Sequence, residues 1–152
     1  MAIRPLCAFP HEVLQAVAAP VEQFDDSLRA LAADLLDTMR AHQGIGIAAP
    51  QLGCSLQVVV VTLAADETIF VNPRLEWVAG RTSMVEGCLS LPQRWETVPR
   101  WAAVRVRAQR LSGEWGFWEA RGVAAITLQH ELDHLQGTLF VDRRPLERAV
   151  AP

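Results

Sequence analysis

The sequence predicts an α+β fold, with antiparallel sheets packed around a central helix that carries a His-Glu-x-x-His motif and a further helix near the N-terminus. Three observations predict it. Leu28, Leu31, Leu35 and Met39 recur at helical spacing, the apolar stripe of a first helix. Between Gln57 and Ala120 the chain falls into β-branched or alternating segments separated by turn residues. Val123, Ile126 and Thr127 then lead, one turn at a time, to His130 and His134.

A chain of 152 residues suits one domain, 1–152, long enough to bury a real core. Hydrophobic residues make up 51% and charged residues 20%, a globular balance, and a net charge of −3 offers no attraction to a phosphate backbone or an acidic membrane. Nucleic acid and membrane are therefore not expected partners. The start, Met1-Ala-Ile-Arg-Pro5, has no apolar signal core, and no apolar run approaches the ~20 residues of a membrane helix, so a cytoplasmic protein is expected. Three cysteines, Cys7, Cys54 and Cys88, are too few and too odd for a disulfide framework and read as reduced thiols.

In chain order, residues 1–24 mix Pro5, Pro10 and Pro20 with Val13, Leu14, Val17 and Val21, an extended arm with something to bury. Asp25, Asp26 or Ser27 can cap the first helix, Gly44 is expected to stop it, and His42 meets the negative end of its dipole. Gly44-Ile-Gly-Ile-Ala-Ala-Pro-Gln51 reads as a loop placing one polar side chain, Gln51, at the end of an apolar wall; a third glycine and the context of a dinucleotide loop are both missing. Gln57 to Leu63 and Thr68 to Val71 are strands, the second closed by Asn72-Pro73. Leu75 to Val78 pairs next, with Gly80 turning the chain. Ala102 to Gln109 alternates, with Arg105 and Arg107 on its wet face, and Ser112-Gly113 turns it into Trp115 to Ala120. Gly122 precedes the second helix, Gly137 ends it, and Leu139 to Val141 adds a last short strand. Trp77, Trp115 and Trp118 fall in strand patterns; Trp95 reads as core packing, with the wall of a groove as the alternative.

His130 and His134, four apart on a helix, can close on one metal ion. Glu131 is turned about 100° away on the wheel, where it can serve as a base. A zinc peptidase would take its third ligand from downstream, but no histidine follows His134, and the remaining acids are Asp142 and Glu147 in the C-terminal tail. Upstream stand Cys7, Cys54, Cys88, His11 and His42. Only Cys88 lies in a glycine- and proline-bounded turn beside an acid, Glu86.

Gly44-Ile-Gly-Ile-Ala-Ala-Pro-Gln51, Glu86-Gly-Cys-Leu-Ser90 and Gln129-His-Glu-Leu-Asp-His134 resemble, in order and separation, the three motifs of bacterial peptide deformylases. The likeness runs from Val17-Ala-Ala-Pro-Val21 through Phe70-Val-Asn-Pro73 to Phe140. This resemblance implies Cys88, His130 and His134 as ligands of one divalent metal ion, Glu131 as the acid/base, and Gln51 with the Leu89 backbone N–H as oxyanion donors. It implies iron(II) as the native ion, replaceable by zinc, nickel or cobalt. N-formylmethionyl nascent peptides are the implied substrates, formate the product, and a transient contact with the ribosome fits such a role. Two imidazoles and a thiolate would leave a coordination position open for water and carbonyl. Glu86 and Asp133 would crowd that position as ligands, so they are expected behind the ligands with Arg100 as charge partner. Ile45, Met84, Val123, Ile126 and Thr127 look like the family positions lining a methionine pocket, and Gly44 and Gly46 leave room for the formyl end.

The chain departs from the family pattern where Trp95, beside Arg94, stands in place of a peptide-holding arginine, and where Gln15 replaces an arginine of the arm. Two alternatives accompany this reading. One is an accessory deformylase-like metallohydrolase or amidase acting on another N-acyl peptide. The other is a noncatalytic metal-binding protein with Cys54 as fourth ligand.

Overall fold

The computed structural model describes residues 2–140. An N-terminal arm, broken by a 3-10 turn at Glu12–Gln15, leads into helix α1 (Asp26–Ala41). Asp25 caps that helix, its carboxylate accepting from Leu28 N at 3.2 Å. Leu28, Leu31, Leu35 and Met39 are buried, as their spacing requires. Gln43, not Gly44, takes the left-handed conformation after the helix, at φ +55°, while His42 Nδ1 meets Thr38 O at 3.0 Å.

Five strands follow, β1 (Gly46–Ala48), β2 (Val58–Leu63), β3 (Asp66–Cys88), β4 (Leu91–Gln109) and β5 (Trp115–Arg121), and then α2 (Gly122–Leu135). They form one antiparallel sheet in the order β1-β2-β3-β4-β5. The architecture is thus α+β, with one sheet where several were expected. The first motif, read as a loop, contains strand β1, which pairs with β2 through Ile47↔Val60, followed by a 3-10 turn at Ala49–Leu52.

The largest departure concerns Asn72-Pro73 and Gly80, expected to end strands. β3 runs through both, and β4 begins at Leu91 instead of Ala102. Registers slip between Val71 and Arg74 and between Leu75 and Trp77, so the extra residues are absorbed as bulges. Gly80 adopts φ +69° between the paired residues Ala79 and Arg81, a bend within the ladder. Asn72, at φ +51°, turns its side chain to the arm: Oδ1 accepts from Val21 N at 2.7 Å and Nδ2 donates to Val21 O at 2.9 Å. Leu139 and Phe140 lie in no strand but are buried with Leu14, Leu91 and Val98; Val141 lies outside the described residues.

Two further apolar clusters complete the core. One joins α1 to β1 and β2 through Leu35, Met39, Ile47, Val58 and Val60. The other packs Ala125, Leu128 and Leu135 of α2 on Val59, Val61, Phe70, Val104 and Val106. Their exclusion of water commits α2 to one orientation on the sheet. The arm fastens the pieces: Cys7 N donates to Gln51 O, Phe9 N to Ser90 O and Ala18 N to Leu135 O, each at 2.7–2.8 Å. One extended segment thereby ties together the first two motifs and the last residue of the helix that carries the third. No helix among the described residues is long and apolar enough to cross a membrane.

Candidate metal centre

β3 and β4 form a hairpin in which Cys88 pairs with Leu91, so Leu89 and Ser90 make the turn. Strand alternation from there puts Glu86 and Cys88 on the α2 side. Helix α2 presents His130 and His134 one turn apart. The ligand atoms of Cys88, His130 and His134 all lie within 4.8 Å of one another, with Cys88 Sγ 3.4 Å from His134 Nε2. Cys54 is elsewhere, half-buried against the α1 core, and burial pushes its thiol pKa up. His11 accepts from Val13 N at the 3-10 turn, and Cys7 packs beside Leu14 and Phe140.

The donor set fits a divalent cation. His130 Nδ1 faces Glu86 Oε1 at 2.9 Å; a carboxylate only accepts, so this nitrogen carries the proton and Nε2 is left as a donor to metal. Burial alone would lower the pKa of His130, but hydrogen bonds with Cys88 and Glu86 and the charge of Glu131 raise it to about 10 in the metal-free protein, so an ion taking Nε2 displaces the proton that this negative surrounding otherwise holds there. Burial, with the charges of His130 and Arg100, pushes His134 well below its ordinary value, which keeps its imidazole neutral as a ligand must be. Its Nδ1 is buried without a hydrogen-bond partner among the described residues.

Behind the three donors stands a buried ionic relay. Arg100 gives Nε and Nη2 to the two oxygens of Glu86, both at 2.7 Å, and Nη1 to Asp133 Oδ2 at 2.6 Å. Burial would raise the carboxyl pKa of Glu86; the Arg100 and His130 hydrogen bonds more than offset it and hold the group below its usual range. Glu86, Arg100 and Asp133 therefore sit together, with Glu86 reaching the His130 ring.

Glu131 is buried, and its Oε1 has no hydrogen-bond partner among the described residues. Burial raises its pKa to about 7 against the pull of His130 and Arg100. The Gln51 amide is aimed by its own turn. Its Oε1 accepts from Ala48 N at 2.9 Å, so Nε2 points to Ser90 Oγ at 3.3 Å and Cys88 Sγ at 3.7 Å.

A cleft of about 600 Å³ opens over these groups. Gly44, Ile45, Gly46, Met84, Ile126, Thr127 and Leu89 line it, together with Gln51, Cys88, His130 and Glu131. Val123 does not; one turn before Thr127, it is 52% exposed, and its carbonyl accepts from Thr127 Oγ1. Trp95, read as core, is 65% exposed on the rim. Two positions with no role from sequence prove structural here. Ser90 is fully buried against Gln51, and Gln129 clamps α2 to β4, accepting from Trp101 N and donating to Trp101 O, both at 2.8 Å. Each is an end residue of one of the three motifs, which is the signal that the sequence offers for it.

The comparisons agree with this geometry. A family model described as polypeptide deformylase matches residues 3–149. A peptide deformylase of Phenylobacterium zucineum is 44% identical over 148 residues, covering 93% of this chain and 88% of the relative. A peptide deformylase structure from Legionella pneumophila is 41% identical with a TM-score of 0.91, covering 99% of this chain and 91% of that one. A class I type b peptide deformylase from Acinetobacter baumannii, solved bound to Met-Ala-Ser, is 33% identical with a TM-score of 0.88, covering 93% of this chain and 98% of that one. With its three motifs gathered at one cleft and nearly its whole length matched, the chain belongs to the polypeptide deformylase family.

Proposed function

We propose that the chain removes the formyl group from N-formylmethionyl nascent peptides, using one divalent ion held by Cys88, His130 and His134. The observation that carries this reading is that the clustered donors Cys88, His130 and His134 stand at a cleft lined by two of them, Cys88 and His130, together with the buried Glu131 carboxylate and the aimed Gln51 amide. A peptide of the product class, Met-Ala-Ser, is bound by the Acinetobacter relative.

When bound, the ion supplies Lewis acidity, acidifying a water and polarising the formyl carbonyl. Glu131 takes the water's proton as its oxygen bonds to the formyl carbon. With a pKa near 7 it can give that proton up again to the amine nitrogen when the C–N bond breaks. Gln51 Nε2 and the Leu89 N–H donate to the carbonyl oxygen as it gains charge, and one such donor is worth roughly 3–4 kcal/mol in comparable sites. Formate and a free N-terminal amine leave. Glu86 holds the His130 ring in its tautomer, and Arg100 with Asp133 keeps Glu86 ionised.

Iron(II) is the metal we assign, with zinc, nickel or cobalt able to occupy the same donors. Helix α2 acts as the centre around which one catalytic domain is built. Work on nascent chains places the protein in the cytoplasm, in transient contact with ribosomes. Gly44 leaves the formyl end room, Gly46 leaves room for the Glu131 carboxylate that acts there, and Ile45, Met84, Ile126 and Thr127 receive the methionine side chain.

The test is formate release from formyl-Met-Ala-Ser by protein purified without oxygen and loaded with iron(II), nickel or cobalt, with Glu131→Gln as control. No release by any fully loaded form defeats the reading, and cleavage elsewhere in the peptide would indicate another amidase. Loss of iron-supported activity in air, with oxidation of Cys88, distinguishes iron from the redox-inert ions.

A further inference from the structure

Beyond the metal donors, Glu131 and the expected methionine pocket, the cleft has an outer part lined by exposed apolar side chains. Ile45, Val85, Leu89 and Trp95 are all large, apolar and at least one-third exposed, and all four line the cleft. Gathered at one mouth they form a contiguous apolar rim of the kind that marks a binding surface.

Trp95 is held there by the hairpin itself. Gly87 is its cross-strand partner, and a Cβ on Gly87 would lie 2.6 Å from Trp95 Nε1 and 2.9 Å from its Cδ1. The indole therefore rests on the Gly87 backbone, one residue before the ligand Cys88. Packing on a glycine explains why the ring stays in place. It does not use the rest of the ring, for Trp95 is 65% exposed. The neighbouring Arg94 is engaged with Glu96 at 3.8 Å, so the ring is not covered by a cation on its own strand.

We propose that the Trp95 indole, with Val85 and Leu89, selects substrates by an apolar or aromatic side chain within the two residues that follow the formylmethionine. The inference rests on the deformylase reading and adds a specificity determinant to it. A substrate whose reacting end lies at Cys88, His130 and His134 must leave through the mouth, and its next side chains then meet this rim. An aromatic partner on Trp95 adds about three- to tenfold in affinity, expressed in KM, because the contact is made alike in the ground and transition states.

The experiment measures kcat and KM for formyl-Met-Ala-Ser, formyl-Met-Phe-Ser and formyl-Met-Ala-Phe with the metal-loaded protein, with Trp95→Ala, with Trp95→Phe, and with Phe117→Ala. Phe117 is an exposed aromatic of β5 outside the cleft. The expected result is a roughly three- to tenfold lower KM for at least one Phe-containing peptide. That preference should collapse to within about twofold in Trp95→Ala, persist in Trp95→Phe, and be untouched in Phe117→Ala. Equal KM values for all three peptides, or a preference that survives Trp95→Ala, overturns the proposal while leaving deformylation intact. Absence of formate from every peptide defeats the underlying function instead.

Discussion

Gly46 lies against Glu131: a Cβ on Gly46 would stand 2.7 Å from Glu131 Oε2, 2.7 Å from Thr127 Cγ2 and 3.1 Å from Glu131 Cγ. The missing side chain of the first motif is the space in which the carboxylate of the third one sits. Gly46→Ala should push Glu131 off its position and cut kcat by about 10²-fold, the cost of an ångström-scale misplacement. Bound metal per protein should be unchanged, since the atoms nearest that Cβ belong to Glu131 and Thr127 and not to the three donors. Formate-release kinetics with metal analysis checks both, and an undiminished kcat would show that Glu131 has no need of this space.

Glu131→Gln keeps the shape of the side chain and removes its proton chemistry. A fall of about 10²–10⁴-fold in kcat is expected, the usual weight of a positioned acid/base, with metal content retained. Activity within a few-fold of the parent would move the proton transfer to another group.

Arg100→Met should destabilise the fold by about 3–5 kcal/mol, because it withdraws the guanidinium from buried Glu86 and Asp133. Urea unfolding of the two proteins measures the difference. The second expected effect is weaker metal binding, through a Glu86 that no longer stays ionised beside His130. A change below 1 kcal/mol would mean that the ion pair contributes nothing net.

Among the groups that set the acid stability of the metal-free protein, Glu86 has a folded-state pKa below its ordinary 4.5. A carboxyl depressed on folding adds stability that is fully present above the unfolded value and lost as pH falls through the folded one. The melting temperature should therefore decline as pH drops below about 4.5, and Glu86→Gln should flatten that decline while lowering stability at neutral pH. An identical acid slope in both proteins would assign the loss to other groups.

Removal of metal by a chelator should abolish formate release and lower the melting temperature, since an ion bound only by the folded state stabilises it by mass action. Restoring one equivalent of nickel or cobalt should recover both. Full turnover by protein shown to be metal-free would separate Glu131 chemistry from the ion.

What the sequence reveals of the fold differs from element to element. Helix α1, the β5 hairpin and α2 were readable because their signals are local: a capping Asp25, alternation at Val104 and Val106, and histidines one helical turn apart. The long strand β3 was not, because Asn72-Pro73 and Gly80 look like terminators unless the pairing partners that carry a bulged strand past them are known. Val123 lies off the cleft for a related reason, since periodicity marks a helix face but not where the sheet stops covering it.

The amino-acid order already carries the chemical types, namely two imidazoles and a thiol, a carboxylate beside them and an amide, and enough periodicity to place both imidazoles and the carboxylate on one helix. It also carried the family, since three motifs in order are covalent facts. Packing is needed to see that Glu86 bridges Arg100 to His130, that Gly46 makes room for Glu131, and that Trp95 stays on the rim instead of in the core. These are contacts between residues 14 to 85 positions apart or matters of exposure, set by how the sheet bends and how α2 seats on it, and no local pattern encodes either.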